Sequence, residues 1–320
     1  MVRQMPEAVR IGVVGAGVMG RHHVRNLSAM AAIPGAELVG VYDARPEVAE
    51  GIAAEHGTRA FSRIDELAGE IQAAVVAAPT VYHAEIGCAL LARGIHVLIE
   101  KPIAPSLAEA DRLIDAREAA PGRPGFSPIL AVGHIEYYNP VVQALLGLGV
   151  PPRFVEVQRL GIFSPRSLDV DVVLDLMIHD LQILHALDPS PVAEVRATGI
   201  QVLSPKVDIA NARVELASGC VANLTASRVS AERVRKLRAF LPSRYYSLDY
   251  ALQEVHGYRL EEGDGGRSIV KDDLAAEKAE PLRRELEAFL AACRGEAAPL
   301  VDAAAGRQAL ATALAVVAAI

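Results

Sequence analysis

Along the first 133 residues, short continuous apolar runs are separated by stretches with helical spacing. The runs are Arg10–Val14, Glu37–Tyr42, Ala73–Ala77, His96–Ile99 and Ile129–Val132. Between them lie the helix-compatible stretches Met19–Ala32, Pro46–His56, Tyr82–Arg93 and Ser106–Ala119. A run such as Ala73-Ala74-Val75-Val76-Ala77 has no polar face, so it suits a strand covered on both sides. Strands of that kind alternating with helices predict right-handed βαβ units and a parallel sheet. The Pro- and Gly-rich stretch Pro121–Pro128 reads as a surface loop before the last of these strands. Around Pro140 the pattern changes. Apolar and polar positions now alternate through Phe154–Val157, Ala193–Leu203, Ala210–Leu216, Val221–Ser227 and Arg235–Phe240. One apolar and one polar face predict an open, mostly antiparallel sheet. A helix over Val172–Leu187 interrupts it, and helices over Pro281–Arg294 and Asp302–Ile320 close the chain, the last with Asp302 as N-cap.

The turn after the first strand sharpens this picture. Gly15-Ala16-Gly17-Val18-Met19-Gly20 is a G-x-G-x-x-G between a strand and a helix, the order that brings a pyrophosphate onto a helix N-terminus. In such a turn Gly15 permits the tight bend, Gly17 lets the phosphate approach the backbone, and Gly20 lets the helix lie close to its strand. Asp43 ends the second strand twenty-three residues past Gly20, where a ribose-binding acid belongs. A carboxylate there accepts from a ribose 2′-OH and repels a 2′-phosphate, so NAD is favoured over NADP; Arg45 nearby works the other way. The fold class is therefore α/β. A Rossmann doubly wound parallel sheet spans 1–134 and binds NAD. An α+β domain with an open, mostly antiparallel sheet spans 135–320 and binds substrate, with the last helix a candidate to return to the first domain.

Length agrees with two domains at about 150 residues each. Hydrophobic residues make up 52% of the chain, enough for a sizeable core, and a net charge of −7 with scattered Lys and Arg excludes a nucleic-acid footprint. Cys88, Cys220 and Cys293 are odd in number and far apart, so they form neither a disulfide framework nor a zinc set and suit a reducing compartment. The first nine residues lack the apolar core of a signal peptide. The Ala-rich end carries Arg307 and Gln308, which suits a packed helix rather than a membrane span. These features predict a cytoplasmic protein.

Functional residues of such a sheet sit at the carboxyl ends of its strands. Those ends carry Asp43, Ala78-Pro79-Thr80, Glu100-Lys101-Pro102 and His134-Ile135-Glu136. Lys101 could hold a substrate hydroxyl, or act as base if burial lowered its pKa from about 10.4; otherwise it is a solvated surface Lys. Asp175 and His179 lie four apart in an apolar helix and share a face, and a carboxylate that orients an imidazole suits a general base. A satisfied core His would look the same, and no residue set completes a metal site around the pair. His185 reads as core-facing. The stretch Gly133–Pro140 gathers His, Glu, two Tyr and Asn, a mix that suits a polyhydroxyl ligand. His22-His23 reads as structural or close to the pyrophosphate.

Three stretches resemble the glucose–fructose oxidoreductase/inositol dehydrogenase/rhizopine-catabolism (Gfo/Idh/MocA) family: VVGAGVMGRHHVRN, the tripeptide Glu100-Lys101-Pro102, and Asp175-x-x-x-His179. The resemblance covers nearly the whole chain. It implies an oxidoreductase with catalytic Lys101 and His179, oriented by Asp175. Cofactor contacts then fall on Gly15, Gly17, Val18, Met19, Gly20, Asp43, Ala78, Pro79, Thr80, His83, Glu100 and Lys101. Within the family, AAPTVYHAEI, VGHIEYYNP and RLGIFSPRSLDVDVVLDLMIHDLQIL look like the branch that oxidises the C3 hydroxyl of UDP-N-acetylglucosamine with NAD. That branch implies substrate contacts from Lys101, Glu136, Tyr138, Asn139, Arg159, Phe163, Ser164, Arg166, Asp175 and His179, with the arginines near the diphosphate. Tyr137-Tyr138 depart from the Arg-Phe expected there. The branch further implies a homodimer or homotetramer, no nucleic-acid or membrane partner, and a PLP-dependent aminotransferase as functional partner in making the 3-amino sugar of lipid A. Other sugar or inositol dehydrogenases of the family, an NAD-dependent glycosidase, and a cofactor-sensing regulator that has lost catalysis are the alternatives.

Overall fold

In the computed structural model, residues 8–30, 35–121, 127–163, 170–263 and 266–320 are described. They form two compact units. One comprises the chain to His134 together with Leu282–Arg307; the other comprises Ile135–Pro281 and Gln308–Ile320.

The first unit is built on six parallel strands: β1 (Val9–Val14), β2 (Ala36–Tyr42), β3 (Arg59–Phe61), β4 (Ala73–Val76), β5 (His96–Glu100) and β6 (Leu130–Gly133). Their order is β3-β2-β1-β4-β5-β6. The chain direction of the winding reverses between β1 and β4, which is where a doubly wound sheet opens its ligand crevice. All of β4 is buried, as its unbroken apolar run predicts. The connecting helices are α1 (Val18–Met30), α2 (Pro46–His56), α3 (Ile64–Ala68), α4 (His83–Leu91) and α5 (Leu107–Ala119). Ser106 caps α5 by accepting from the Glu109 N–H, and Gly57 ends α2 in the left-handed conformation. β3 and α3 escape the sequence pattern because three and five residues are too short to show a period.

A late helix joins this core. In α8 (Pro281–Cys293), Leu286, Phe289 and Leu290 pack with Ile11, Val13 and Leu27 of β1 and α1. After it, Val301 accepts from the Val132 N–H and extends the β6 edge of the sheet.

The second unit has eight strands: β7 (Phe154–Leu160), β8 (Val192–Ile200), β9 (Ile209–Leu216), β10 (Val221–Ser227), β11 (Val234–Leu241), β12 (Arg244–Asp249), β13 (Glu254–Gly263) and β14 (Gly266–Lys271). Their order is β14-β13-β12-β11-β7-β10-β9-β8, antiparallel except between β7 and β10. Alternate residues of one face, among them Val157, Leu224, Leu237 and Leu248, form the second core with α6 (Pro140–Leu146), α7 (Ile178–Leu187) and α9 (Ala303–Ala319). Thus α8 serves the first core, while Ala309, Ala313 and Val316 of the last helix serve the second. Asp302 caps α9 by accepting from the Ala305 N–H at 2.8 Å. The other sheet face carries Phe154, Phe240 and Tyr245, whose ring centroids follow one another at 5.6 and 4.9 Å, with Tyr258 opposite Tyr245 in register.

Three strands, β12 to β14, went beyond the sequence pattern. The β11–β12 hairpin turns through Pro242-Ser243 with Ser243 at φ +58°, a conformation usually signalled by Gly or Asn. β13 is largely exposed and lacks an apolar face to read. No helix among the described residues is long and apolar enough to cross a membrane. Because Phe289 is fully enclosed in the first core, Phe289→Ala should cost about 3–5 kcal/mol. Urea unfolding measures this, and a loss below about 1 kcal/mol would mean that α8 is dispensable to that core.

Candidate active site

The glycine turn has the shape that its residues predict. The Gly15 N–H donates to Tyr42 O, and the Ala77 N–H donates to Val14 O, both at 2.8 Å, so the ends of β1, β2 and β4 are tied at the turn. Gly15 sits at φ +95°, and a Cβ there would lie 2.6 Å from the backbone of Ala77 and Ala78. A Cβ on Gly20 would lie 1.8 Å from Gly15 O, so α1 rests directly on the turn. Gly17 is the opposite case: a Cβ would meet nothing within 4 Å. An exposed backbone at the N-terminus of α1, with open space over Gly17, fits a pyrophosphate held by peptide N–H groups. Val18 is exposed beside it, and Met19 is half-buried.

Asp43 stands where the ribose-binding acid belongs and also braces this turn. Its Oδ2 accepts from the Ala16 N–H at 2.7 Å, and its Oδ1 accepts from the Arg45 N–H at 3.0 Å. A carboxylate has acceptor capacity left for a ribose hydroxyl.

Ala78, Pro79 and Thr80 follow β4 and lead through a single 3₁₀ turn into α4. His83 opens that helix and is buried. Its Nδ1 lies 3.0 Å from Pro102 O and its Nε2 lies 2.9 Å from Ala78 O, so it ties the loop after β4 to the loop after β5. Burial holds its pKa below the usual imidazole value. His83, expected at the cofactor, thus braces the two loops from beneath. Glu100, also expected at the cofactor, has an internal partner as well. Its carboxylate turns inward to His23, 2.7 Å away, and both are buried. Lys101 begins the loop and is partly exposed. Behind it, burial and then the Lys101 charge push the His134 imidazole down to about 3. The ends of β5 and β6 are neighbours through the Glu100–Gly133 register, which accounts for that influence.

In the second unit, Asp175 lies in a π-helical turn, Val173–Met177, and His179 in the first turn of α7. The expected helix is thus widened just ahead of the imidazole, a distortion common at functional sites. His179 is buried and Asp175 partly so. The next residue, Asp180, holds Arg159 bidentately at 2.6 and 2.7 Å, and the third contact of that guanidinium is Glu136 at 2.7 Å. Arg159 is 1% exposed, with the Tyr250 ring 5.3 Å away. Burial alone would lower the Arg159 pKa and raise that of Glu136; their mutual attraction prevails, so the arginine rises well above its usual value and Glu136 falls below its own. Three of the five Arg159 N–H donors go to two carboxylates inside the protein, so the residue expected at the diphosphate also anchors a buried ion-pair network. Glu136 and Asn139 belong to the same network: Asn139 caps α6 and donates to Tyr250 O at 3.1 Å. Tyr138 is buried, edge-on to Tyr137 at 5.5 Å. Phe163 is exposed. Ser164 and Arg166 lie outside the described residues. His185 is buried as expected, 2.7 Å from Thr312 Oγ1.

A parallel sheet with its switch point at a glycine cradle, and a lysine at the end of β5, define a dinucleotide-dependent oxidoreductase. The sequence profile of the Gfo/Idh/MocA oxidoreductase family, NAD-binding Rossmann fold, matches residues 9–123. The UDP-N-acetylglucosamine 3-dehydrogenase of Acidithiobacillus ferrooxidans is 39% identical over 311 residues, covering 96% of this chain and 95% of that protein. Its solved structure superimposes with a TM-score of 0.89 at 37% identity, covering 98% of each chain. Inositol 2-dehydrogenase 2 of Paenarthrobacter aurescens is 28% identical over 91% of this chain and 89% of its own. The chain belongs to the Gfo/Idh/MocA family of NAD-binding oxidoreductases.

Two consequences are measurable. Gly17→Ala should keep the parental melting temperature and weaken NAD binding about tenfold or more, whereas Gly20→Ala should destabilise the unit itself; equal melting losses would contradict the cradle. Arg159→Met should cost about 3–5 kcal/mol in denaturant unfolding, because two carboxylates lose their buried partner. If the guanidinium served a diphosphate instead, stability would stay parental and the sugar KM would rise.

Proposed function

We propose that the protein oxidises the C3 hydroxyl of UDP-N-acetylglucosamine to the 3-keto sugar nucleotide. The observation that carries this reading is the 39% identity to a 3-dehydrogenase of that sugar nucleotide across 96% of the chain, with Lys101, Asp175 and His179 all present. NAD, when bound, accepts the hydride from C3. His179, oriented by Asp175, takes the proton from the hydroxyl. Lys101 hydrogen-bonds the same oxygen and stabilises its developing negative charge. Asp180, locked to Arg159, sets the direction of the helix turn that presents His179.

The 3-keto product is the substrate class of a PLP-dependent aminotransferase, which would convert it to the 3-amino sugar for lipid A. Use of NAD and a nucleotide sugar supports a cytoplasmic reading. The sheet face that carries Phe154, Phe240, Tyr245 and the exposed Tyr258 is the surface for a homodimer or homotetramer. The inositol 2-dehydrogenase relative supports a second reading, in which a free polyol is oxidised.

NADH absorbance with UDP-N-acetylglucosamine, UDP-glucose, myo-inositol and glucose separates the two. The reading requires NADH from UDP-N-acetylglucosamine alone, with a glutamate-dependent aminotransferase added to draw the equilibrium forward. NADH from myo-inositol alone would replace it with the second reading. Lys101→Ala and His179→Asn should each lower kcat by about 10²–10⁴. Turnover within a few-fold of the parent in both variants would remove the mechanism.

A further inference from the structure

Directly behind Lys101 lies a group of ionisable side chains that the reaction does not use. His23 comes from α1, three residues past the last glycine of the turn; Glu100 ends β5; Glu285 comes from α8. His23 and Glu285 are fully enclosed, and Glu100 is 7% exposed. One polar atom of each lies within 4.8 Å of the other two. His23 Nε2 is 2.7 Å from Glu100 Oε1, and since a carboxylate only accepts, the imidazole donates. The other oxygen, Oε2, accepts from the Lys101 N–H at 3.3 Å. Across the sheet, Gly133 leaves just enough space, for a Cβ there would stand 3.2 Å from Glu100 Cδ. Both Glu285 oxygens are buried without a hydrogen-bond partner among the described residues. Burial and then the neighbouring Glu100 push the Glu285 carboxyl well above the usual range.

Folding alone gives little reason for this group, because apolar side chains of the same volume would hold three elements together at least as well. What the polar group adds is direction. Glu100 is gripped on one oxygen by the dinucleotide helix and bonds the first backbone N–H of the lysine loop with the other. Glu285 closes the third side, with a carboxyl oxygen within 4.8 Å of the polar atoms of the other two.

We propose that His23 and Glu285 are positioning residues for Lys101, acting through Glu100 to fix the strand end from which the lysine projects. The inference rests on the reading of Lys101 as a catalytic group. His23 ties the lysine to the helix whose N-terminus forms the glycine cradle, so one hydrogen bond keeps the cofactor-binding and proton-handling parts of this unit in register. Glu285 keeps a polar group within 4.8 Å of both His23 and Glu100, so an amide replaces it better than an apolar side chain does.

The test is a double-mutant cycle on whichever sugar of the panel the parent oxidises, with melting temperature and NAD affinity measured alongside. His23→Leu should lower kcat about ten- to a hundredfold, the scale of a misplaced catalytic group, with both KM values within about threefold of the parent. His23→Gln, which retains a side-chain donor, should recover most of that loss, and Glu285→Gln should outperform Glu285→Leu. In a Lys101→Ala background, His23→Leu should cost nothing further, because its effect passes through the lysine. If the same loss of kcat appears with and without Lys101, or if His23→Leu lowers only the melting temperature, the inference is overturned. Should His23→Leu fail to fold, Glu100→Gln takes its place in the cycle with the same expected coupling. Parental turnover in Lys101→Ala would instead remove the lysine reading itself, and the inference with it.

Discussion

The first unit depends on one close approach, that of α1 to the end of β1. Gly20 lies so near Gly15 O that even a methyl group cannot enter. That contact sets where the helix begins and leaves its first peptide groups exposed over Gly17. It also sets the depth at which His23 enters the core one turn later, and so where Glu100 can point. A sheet wound in the order β3-β2-β1-β4-β5-β6 places the ends of β1 and β4 side by side, and the lysine loop follows from the next strand. The chemistry of this unit is thus arranged by backbone packing before any charged group is considered.

Both units bury charge, and in both the buried charge gives orientation rather than net stability. Arg159 with Asp180 and Glu136 joins β7, α7 and the turn after β6. His23 with Glu100 joins α1 and β5. Hydrogen-bonded ions have narrow geometric tolerances, while apolar side chains slide. In each unit the restricted element carries a residue of the proposed reaction at the adjacent position, Lys101 after Glu100 and His179 before Asp180.

Much of this was legible in the sequence. Continuous apolar runs marked the buried parallel strands, alternation marked the one-sided sheet, and the glycines announced a turn whose geometry leaves no room for a side chain at Gly15 and Gly20. Side-chain partners were less legible. An arginine for phosphate and an arginine for a buried carboxylate look alike in RLGIF, and only the β7–α7 packing tells them apart. His83 and Glu100 sit beside a cofactor motif and yet turn inward. Glu285 did leave a trace: it stands three residues after Leu282 and four before Phe289, on the apolar face of its helix, where an acid is out of place. The widened turn at Val173–Met177 left none, because a π-helical insertion changes the phase of a helix without changing its composition.

The double duty of Asp43 limits how this enzyme can change over evolutionary time. The carboxylate expected to bind the ribose also accepts from the Ala16 N–H inside the glycine turn. A lineage drifting toward a phosphorylated dinucleotide cannot simply discard the acid, since the same substitution loosens the turn that both dinucleotides need. The open route is additive: keep the aspartate and recruit cations around Arg45, whose exposed side chain already lies at the same edge. Cofactor preference here is tied to the integrity of the binding loop, so a switch would have to pass through enzymes that use both.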